Sequence, residues 1–215
     1  MYAVIVGGRA IIIDPNNADA VVDFLREEQI YEILILLTHE HYDHISGVNW
    51  LKNFFKCTVM CSYECGLAIV DPSKNMSRYF NELLKLMNDD KDQLGDTSQN
   101  ASTNILPYKC VCDNVFHDEI NFDYFGLNIK LKETPGHSKG SASIMLDDKI
   151  IFTGDNLIYR NPVITRLPGG SKNDFYSQTI PFYESLNAST QVFPGHGEFG
   201  LMETLLSKIN LMNSQ

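Results

Sequence analysis

Three histidines and an aspartate lie within six positions of one another: His39, His41, Asp43 and His44. They follow directly after the apolar run at residues 33–37. A buried strand that ends in a short loop directs such side chains into the crevice at the carboxyl edge of a sheet. Imidazole and carboxylate ligands together suit zinc, iron or manganese better than calcium or magnesium. This stretch therefore predicts a metal site, with a solvated histidine-rich loop as the alternative.

Three further fragments end strand-like runs with a candidate ligand. They contain His137 in Thr-Pro-Gly-His, Asp155 in Thr-Gly-Asp and His196 in Pro-Gly-His-Gly. Each fragment alone is typical of an ordinary turn, but together with the opening stretch they hold five of the six histidines. The sixth, His117, lies in a polar turn at residues 114–119 and is predicted to be a solvated surface residue.

The elements that must position these residues alternate along the chain. Strands are predicted at residues 2–6, 10–13, 31–37, 58–61, 109–112, 122–124, 127–132, 141–146, 149–152 and 190–193. Helices are predicted at residues 19–28, 48–55, 64–70, 76–87, 172–180 (with an end near Pro181) and 199–212. Residues 88–104 are polar and are predicted to form an exposed loop, either a lid over the site or a tolerated insertion. This alternation predicts one layered α/β domain over residues 1–215.

Composition and charge exclude several classes of protein. The formal net charge of −10 disfavours nucleic-acid binding, which depends on Lys and Arg that neutralise phosphates. No apolar run reaches the roughly 20 residues of a membrane span, so no membrane partner is expected. The first residues lack the basic segment of a signal peptide, and an odd count of five cysteines is typical of reduced thiols, so a cytoplasmic location is predicted. Cys61, Cys65, Cys110 and Cys112 could form a second, structural zinc site, with inert buried thiols as the favoured interpretation.

The ordered set of motifs resembles that of the metallo-β-lactamase superfamily, within its glyoxalase II-like (hydroxyacylglutathione hydrolase-like) branch. The resemblance rests on His-x-His-x-Asp-His at residues 39–44, Thr-Pro-Gly-His-Ser at 134–138, Thr-Gly-Asp at 153–155 and Pro-Gly-His-Gly at 194–197. It implies an αββα sandwich with a two-metal site at one edge, where the sheets meet. The helical C-terminal region that binds glutathione in full-length enzymes has no counterpart after His196, so the short, catalytic-domain-only type is expected.

The family pattern implies seven side chains that hold two divalent ions, of which zinc is expected first and iron or manganese are alternatives. They are His39, His41 and His137 for one ion, Asp43, His44 and His196 for the other, and Asp155 as the bridge between them. Asp43 and Asp155 are also expected to be catalytic, Asp43 by orienting the nucleophile and Asp155 by joining the two ions. An anionic bridge would reduce the repulsion between cations about 3.5–4 Å apart.

The implied reaction is hydrolysis of a thioester, or of a related ester or lactone, in which a metal-bridging hydroxide attacks the carbonyl carbon. The expected partner is a small-molecule substrate, and the oligomeric state stays open. Tyr159, Arg160 and Arg166 are candidates for contact with that substrate, and a structural role is the alternative for each.

Two other interpretations remain open. One is an oxidoreductase similar to persulfide dioxygenases, with a single iron held by His39, His137 and Asp155. The other is a non-catalytic metal-binding protein, which is disfavoured because no ligand position is lost.

Overall fold

The computed structural model of the protein describes residues 1–82, 105–159 and 161–213. Within these ranges the strands form two sheets, here called sheet I and sheet II. The predicted loop at 88–104 lies outside the described residues. No helix in the described ranges has the length and apolar character needed to span a bilayer.

Sheet I is built from the first half of the chain. Its strands are β1 (Tyr2–Val6), β2 (Arg9–Ile13), β3 (Glu32–Leu36), β4 (Lys56–Ser62) and β5 (Asn114–Phe116). β1 and β2 form an antiparallel hairpin, and β2, β3, β4 and β5 are parallel. The helices between these strands are α1 (Asp19–Glu27), α2 (Tyr42–Ile45), α3 (Val48–Leu51) and α4 (Tyr63–Ala68).

Sheet II is built from the second half. Its strands are β6 (Glu119–Tyr124), β7 (Leu127–Glu133), β8 (Ala142–Leu146), β9 (Ile150–Gly154), β10 (Gln191–Pro194) and β11 (Gly200–Leu201). β6 to β9 form an antiparallel meander, and β10 is parallel to β9. The helices of this half are α5 (Lys172–Asp174), α6 (Ile180–Ser185) and α7 (Met202–Asn213).

The period of two in the buried strands divides the core into layers. In β2, Ile11 and Ile13 face sheet II, whereas Ala10 and Ile12 face the helical side with Leu25 of α1. The same alternation continues along β3, which is why both strands are apolar at almost every position. A third cluster packs α6 and α7 on the outer face of sheet II. The predicted four-layer αββα architecture is therefore confirmed.

Strand direction determines where the polar loops meet. β2 and β3 are parallel and end at the same edge of sheet I. In sheet II, β7, β9 and β10 run in one direction and also end at a common edge. The segment at residues 39–44 and the other candidate ligands each follow one of these strands. The fold therefore gathers them at one side of the sandwich.

The predicted strand at 109–112 is wrong, because this segment is irregular and β5 begins two residues later. Side chains from α3 and from the residue that follows it bind its carbonyl groups. Asn49 Nδ2 donates to Lys109 O at 2.9 Å. Lys52 Nζ donates to Val111 O at 3.4 Å. Long-range polar contacts therefore use backbone groups that a strand ladder would need.

The predicted end of a helix near Pro181 is also wrong, because α6 continues to Ser185. A π-helical segment, Phe175–Thr179, separates α5 from α6. Pro181 falls in the first turn of α6, where a missing backbone N–H costs little.

Three other helix boundaries differ from the prediction. α3 ends at Leu51, four residues before the predicted end. The helix predicted from residue 199 begins at Met202, because β11 pairs with β10 first. Of the helix predicted at 76–87, the described part contains a 3-10 turn at Ser77–Tyr79. The remaining predicted helices and strands are confirmed to within a few residues.

The cysteines are free thiols, as predicted. Burial raises the pKa of Cys57 and Cys65 to about 11 and that of Cys110 to about 12. These thiols stay protonated and unreactive near neutral pH. Among the described residues, the groups of side chains arranged to hold a metal contain no cysteine.

Candidate metal centre

The structure brings the seven predicted ligand residues together at the edge where the strands end. They fall into two groups of three plus one shared carboxylate. The inner group is His39, His41 and His137, the outer group is Asp43, His44 and His196, and the shared carboxylate is Asp155.

The inner group directs imidazole nitrogens at one point. One ligand atom from each of its three side chains lies within 4.8 Å of the other two. His137 Nε2 and His41 Nδ1 are 3.0 Å apart. His137 Nδ1 donates to Ile164 O at 2.8 Å, so its Nε2 presents a lone pair. His41 Nδ1 can donate to this lone pair, or both nitrogens can bind one cation.

Hydrogen bonds determine the tautomer of His39. Thr38 Oγ1 donates to Asp14 Oδ2 at 2.5 Å, which uses the only hydroxyl proton. His39 Nδ1 must therefore donate to Thr38 Oγ1, at 3.1 Å. The Nε2 atom of His39 then presents its lone pair, as a metal ligand requires.

The outer group has the dimensions of a small-cation site. His196 Nε2 lies 3.1 Å from Asp43 Oδ2 and 3.3 Å from His44 Nε2. His44 Nε2 lies 3.7 Å from Asp43 Oδ2. A tetrahedral ion with bonds of about 2.0–2.1 Å places its ligand atoms on the order of 3.3 Å apart. The three donor atoms therefore fit an ion of the size of zinc.

The carboxylate of Asp155 reaches both groups. Its Oδ1 lies 3.4 Å from His44 Nε2, and its Oδ2 lies 3.7 Å from His137 Nε2 and 3.6 Å from His196 Nε2. Asp155 follows β9 directly after Gly154, which has a φ of +52°. A side chain at Gly154 would meet Thr38 Oγ1 at 2.5 Å, so glycine is needed both for the turn and for the close approach.

Three buried polar atoms of this region have no hydrogen-bond partner among the described residues: His39 Nε2, His41 Nε2 and Asp155 Oδ1. Leaving a buried polar group unpaired costs about 1–3 kcal/mol. For His39 Nε2 and Asp155 Oδ1 the cost is avoided when these atoms bind a cation, whereas His41 directs its Nδ1 and not its unpaired Nε2 at His137. The donor set, its spacing and the unpaired His39 Nε2 and Asp155 Oδ1 fit divalent metal binding.

The outer group is open to solvent, whereas the inner group is not. The side chain of His196 is 54% exposed, and that of Asp43 is 34% exposed. The inner histidines are buried. A molecule from solvent can therefore reach the centre past His196 and Asp43.

The two groups differ in their electrostatics. Burial lowers the pKa of His41 to about 3 and also holds the pKa of His39 and His137 below the usual value. Burial by itself lowers the pKa of His44 too, but the carboxylates around it outweigh this effect and hold that pKa well above the usual value. A hydrogen bond to Asp43 raises the pKa of His196.

The sequence did not predict the role of Asp14, which binds His44 and Thr38 behind the ligand atoms. Its carboxylate accepts hydrogen bonds from Thr38 N at 2.7 Å and from His44 Nδ1 at 2.8 Å, besides that from the Thr38 hydroxyl. The available signal was its position, since Asp14 directly follows an apolar strand, as the predicted ligands do.

A second missed residue, Asn156, holds the loop of His137. Asn156 Oδ1 accepts from His137 N at 3.0 Å, and its Nδ2 donates to Thr134 O at 2.5 Å. Its only signal was adjacency to Asp155, because a buried amide and a surface amide look alike in a sequence.

The three residues predicted to contact a substrate lie in different surroundings. Tyr159 is half-buried and packs on the outer apolar cluster of sheet II, which is compatible with its structural alternative. Arg166 is exposed on the loop that follows Ile164. Arg160 lies outside the described residues. His117 is exposed, as predicted, and its ring contacts that of Tyr63 with centroids 4.5 Å apart.

Comparisons with known proteins agree with this geometry. The family model described as "Metallo-beta-lactamase superfamily" matches residues 1–196. The uncharacterized protein Rv2581c of Mycobacterium tuberculosis is 27% identical over 199 residues, which cover 89% of this chain and 81% of the relative. A hydroxyacylglutathione hydrolase of Glaesserella parasuis is 30% identical over 149 residues, which cover 69% of this chain and 46% of that enzyme. The crystal structure of BLEG-1 B3 metallo-beta-lactamase superposes with a TM-score of 0.72 at 24% identity, over 93% of this chain and 87% of that one, and so has the same fold.

Proposed function

This chain belongs to the metallo-beta-lactamase superfamily, and we propose on that premise that it is a binuclear hydrolase of a small thioester, ester or lactone. The observation that carries the proposal is the pair of three-ligand groups joined by one carboxylate. A site with three protein ligands leaves a coordination position open, which distinguishes catalytic from structural sites.

The inner and outer groups would each hold one divalent ion, with zinc as the first candidate and iron or manganese as alternatives. When bound, two such ions supply a nucleophile from water near neutral pH and a Lewis acid for the substrate carbonyl. Asp155 holds negative charge between the groups. Although burial by itself raises the pKa of Asp155, the neighbouring imidazoles hold it below the usual value, so this carboxylate stays ionised.

Asp43 is proposed to orient the attacking water. Burial by itself raises the pKa of Asp43, but the hydrogen bond from His196 and the nearby imidazoles hold it well below the usual value. An ionised carboxylate accepts hydrogen bonds and donates none. On the open side of the site, Asp43 can therefore accept a hydrogen bond from a water molecule. This hydrogen bond would direct the lone pair of the water oxygen toward a carbonyl carbon.

The choice of a thioester is supported by the similarity to a hydroxyacylglutathione hydrolase. The chain spans under half the length of that relative, so recognition of glutathione itself does not carry over. A thiolate leaving group needs little protonation, which suits a site whose described residues include no obvious general acid.

The test pairs metal content with turnover. His41→Ala and Asp155→Ala are each expected to lower turnover of a thioester panel by at least about 10²-fold, because each removes a proposed ligand. His117→Ala, which changes an exposed histidine outside the centre, is the matched control and should retain both metal and turnover. Elemental analysis should find two metal equivalents in the native chain and fewer in the two ligand variants. Unchanged turnover in either ligand variant would contradict the proposal.

The alternative, an iron oxidoreductase similar to persulfide dioxygenases, would need only His39, His137 and Asp155 as ligands. The complete outer group favours the binuclear hydrolase over this alternative. Oxygen consumption with a persulfide, together with one iron per chain and no thioester turnover, would establish the alternative instead.

A further inference from the structure

Glu40 is a buried carboxylate that the proposed chemistry does not use. It lies between His39 and His41 in the chain and is 4% exposed. None of the metal-compatible groups among the described residues includes it. Because a buried charge is costly unless it is hydrogen-bonded, its surroundings show what it does.

The carboxylate of Glu40 binds the loop that carries His137. Ser138 Oγ donates to Glu40 Oε2 at 2.8 Å, and the backbone of Gly140 is a further hydrogen-bond partner. Ser138 directly follows His137 in the chain. The contact therefore links two segments that are 98 residues apart and that each supply inner-group histidines.

The loop that contains Ser138 is stabilised by hydrogen bonds between its own residues. Ser138 N donates to Ser141 Oγ at 3.1 Å, and the two serine hydroxyls are 2.9 Å apart. Since the hydroxyl proton of Ser138 goes to Glu40, the hydroxyl of Ser141 donates to Ser138 Oγ. Ser62 Oγ donates to Gly140 O at 2.7 Å and holds the other side of the loop. Such a network has one arrangement in which every donor is satisfied.

The backbone of Gly140 lies close to the Glu40 carboxylate. A side chain at Gly140 would overlap Glu40 Oε2 and would meet Cys65 N at 2.6 Å. Glycine at this position lets the loop backbone approach the carboxylate closely. Loop and carboxylate therefore fit together.

We propose that Glu40 is a positioning residue that ties the loop at residues 137–141 to the segment at 39–41 and so holds the three-histidine inner group in register. It touches neither substrate nor reacting atoms. The hydrogen bond from Ser138 ties Glu40 to the loop of the inner ligand His137, whereas Asp14 holds His44 of the outer group. We therefore expect Glu40 to act on the inner group. The inference rests on the metal-binding part of the proposed function and not on the bond that is hydrolysed.

The experiment measures the two metal-binding steps separately in the full chain. Chelated protein is titrated with zinc by calorimetry, and the steps are assigned with His41→Ala, which removes the inner one, and His196→Ala, which weakens the outer one. Glu40→Gln keeps the volume but places an amide donor against Ser138 and Gly140. We expect the inner step to weaken by about 10–100-fold, as for other outer-shell partners, and the outer step to stay unchanged.

Two further variants make the result decisive. Glu64→Gln alters a nearby carboxylate that pairs with Lys139 at 2.8 Å on the surface, and it should change neither step. Ser138→Ala removes only the hydroxyl that binds Glu40 and should weaken the inner step in the same direction. If Glu40→Gln fails to fold, the affinity of the inner step in Ser138→Ala tests the inference instead.

An inner step of native affinity in Glu40→Gln or, failing that, in Ser138→Ala would overturn the inference. Equal weakening of both steps, together with a lower melting temperature of the metal-free protein, would also overturn it, because Glu40 would then support the fold in general. A native chain that binds fewer than two ions would instead refute the proposed function.

Discussion

Asp14 controls the orientation of His44 and, through Thr38, the tautomer of His39. It adopts a left-handed backbone conformation, with a φ of +50°, which asparagine and aspartate tolerate better than most residues. Its two carboxylate oxygens accept from Thr38 N, Thr38 Oγ1 and His44 Nδ1. A carboxylate behind a ligating imidazole positions the ring and raises its basicity.

Asp14→Asn is expected to weaken metal binding by about 10–100-fold with little change in fold, because Asp14 positions His44 of the outer group and, through Thr38, His39 of the inner group. The amide keeps the backbone preference, but its nitrogen cannot accept from His44. Zinc titration by calorimetry measures the loss. Asp23→Asn, an exposed change in the middle of α1, is the control and should bind as the native chain does. Native affinity in Asp14→Asn would show that His44 needs no such support.

The two groups should also differ in how metal affinity depends on pH. The raised pKa of His44 and His196 means that protons compete with a metal for these imidazoles up to a higher pH than at the inner group. Affinity at the outer group should therefore fall as the pH falls from about 8 to about 6, by roughly tenfold per unit for each displaced proton. The lowered pKa of the inner histidines predicts little change over that range.

Calorimetric titration in buffers of different ionisation enthalpy measures these protons directly. We expect at least about one proton released in the outer step and close to none in the inner step. Equal release in both steps would contradict the electrostatic difference between the groups.

At the scale of elements, the centre depends on how closely β9 and β10 approach each other. Gly195 N donates to Gly154 O at 2.8 Å just beyond the parallel ladder. A side chain at Gly195 would overlap Asp155 Oδ1 and would meet His44 Cε1 at 2.5 Å. The absence of a side chain at this position lets the two strand ends deliver their ligands to one point.

Gly195→Ala is therefore expected to displace Asp155 or His44 and to reduce bound metal below two equivalents, as measured by elemental analysis. Gly126→Ala is a contrasting control, because that turn has a φ of +89° and open space around it. It should cost stability on the order of 1 kcal/mol and leave metal content unchanged. Full metal content in Gly195→Ala would mean that the loops can shift without loss of the site.

For the whole molecule, the apolar layers and the metal centre contribute separately to stability. The three hydrophobic clusters lie between and outside the sheets, and none of them contains a ligand residue. The chelated chain should therefore stay folded. Its unpaired buried polar atoms nevertheless make it less stable than the metal-bound chain.

Zinc at about 100 times the dissociation constant of a site is expected to stabilise the chain by about 2.7 kcal/mol for each ion bound. For a domain of this size the melting temperature should rise by roughly 5–10 °C per ion. Thermal unfolding followed by circular dichroism checks the shift. The zinc-induced shift of the melting temperature should be smaller in Asp155→Ala. The far-UV spectrum of the native chain should persist after chelation. A shift of the same size in Asp155→Ala, or loss of the spectrum on chelation, would contradict this separation.

The identity of the seven candidate ligands and the buried character of β2 and β3 could be predicted because both are local properties. A ligand is recognised by its residue type beside the end of an apolar run, and a strand by the period of its side chains. The motif set also predicted the αββα layering, which the two sheets confirm.

The supporting residues depended on the tertiary structure. Asp14 meets His44 across 30 positions, and Glu40 meets Ser138 across 98, so no window of sequence contains either pair. The irregular course of residues 109–112 has the same cause, since contacts with distant side chains outweighed local preference there. The helix passes Pro181 because this residue falls in the first turn of α6. Which side chains are candidates for chemistry was thus encoded locally, whereas what holds them in place was decided by long-range packing and hydrogen bonding.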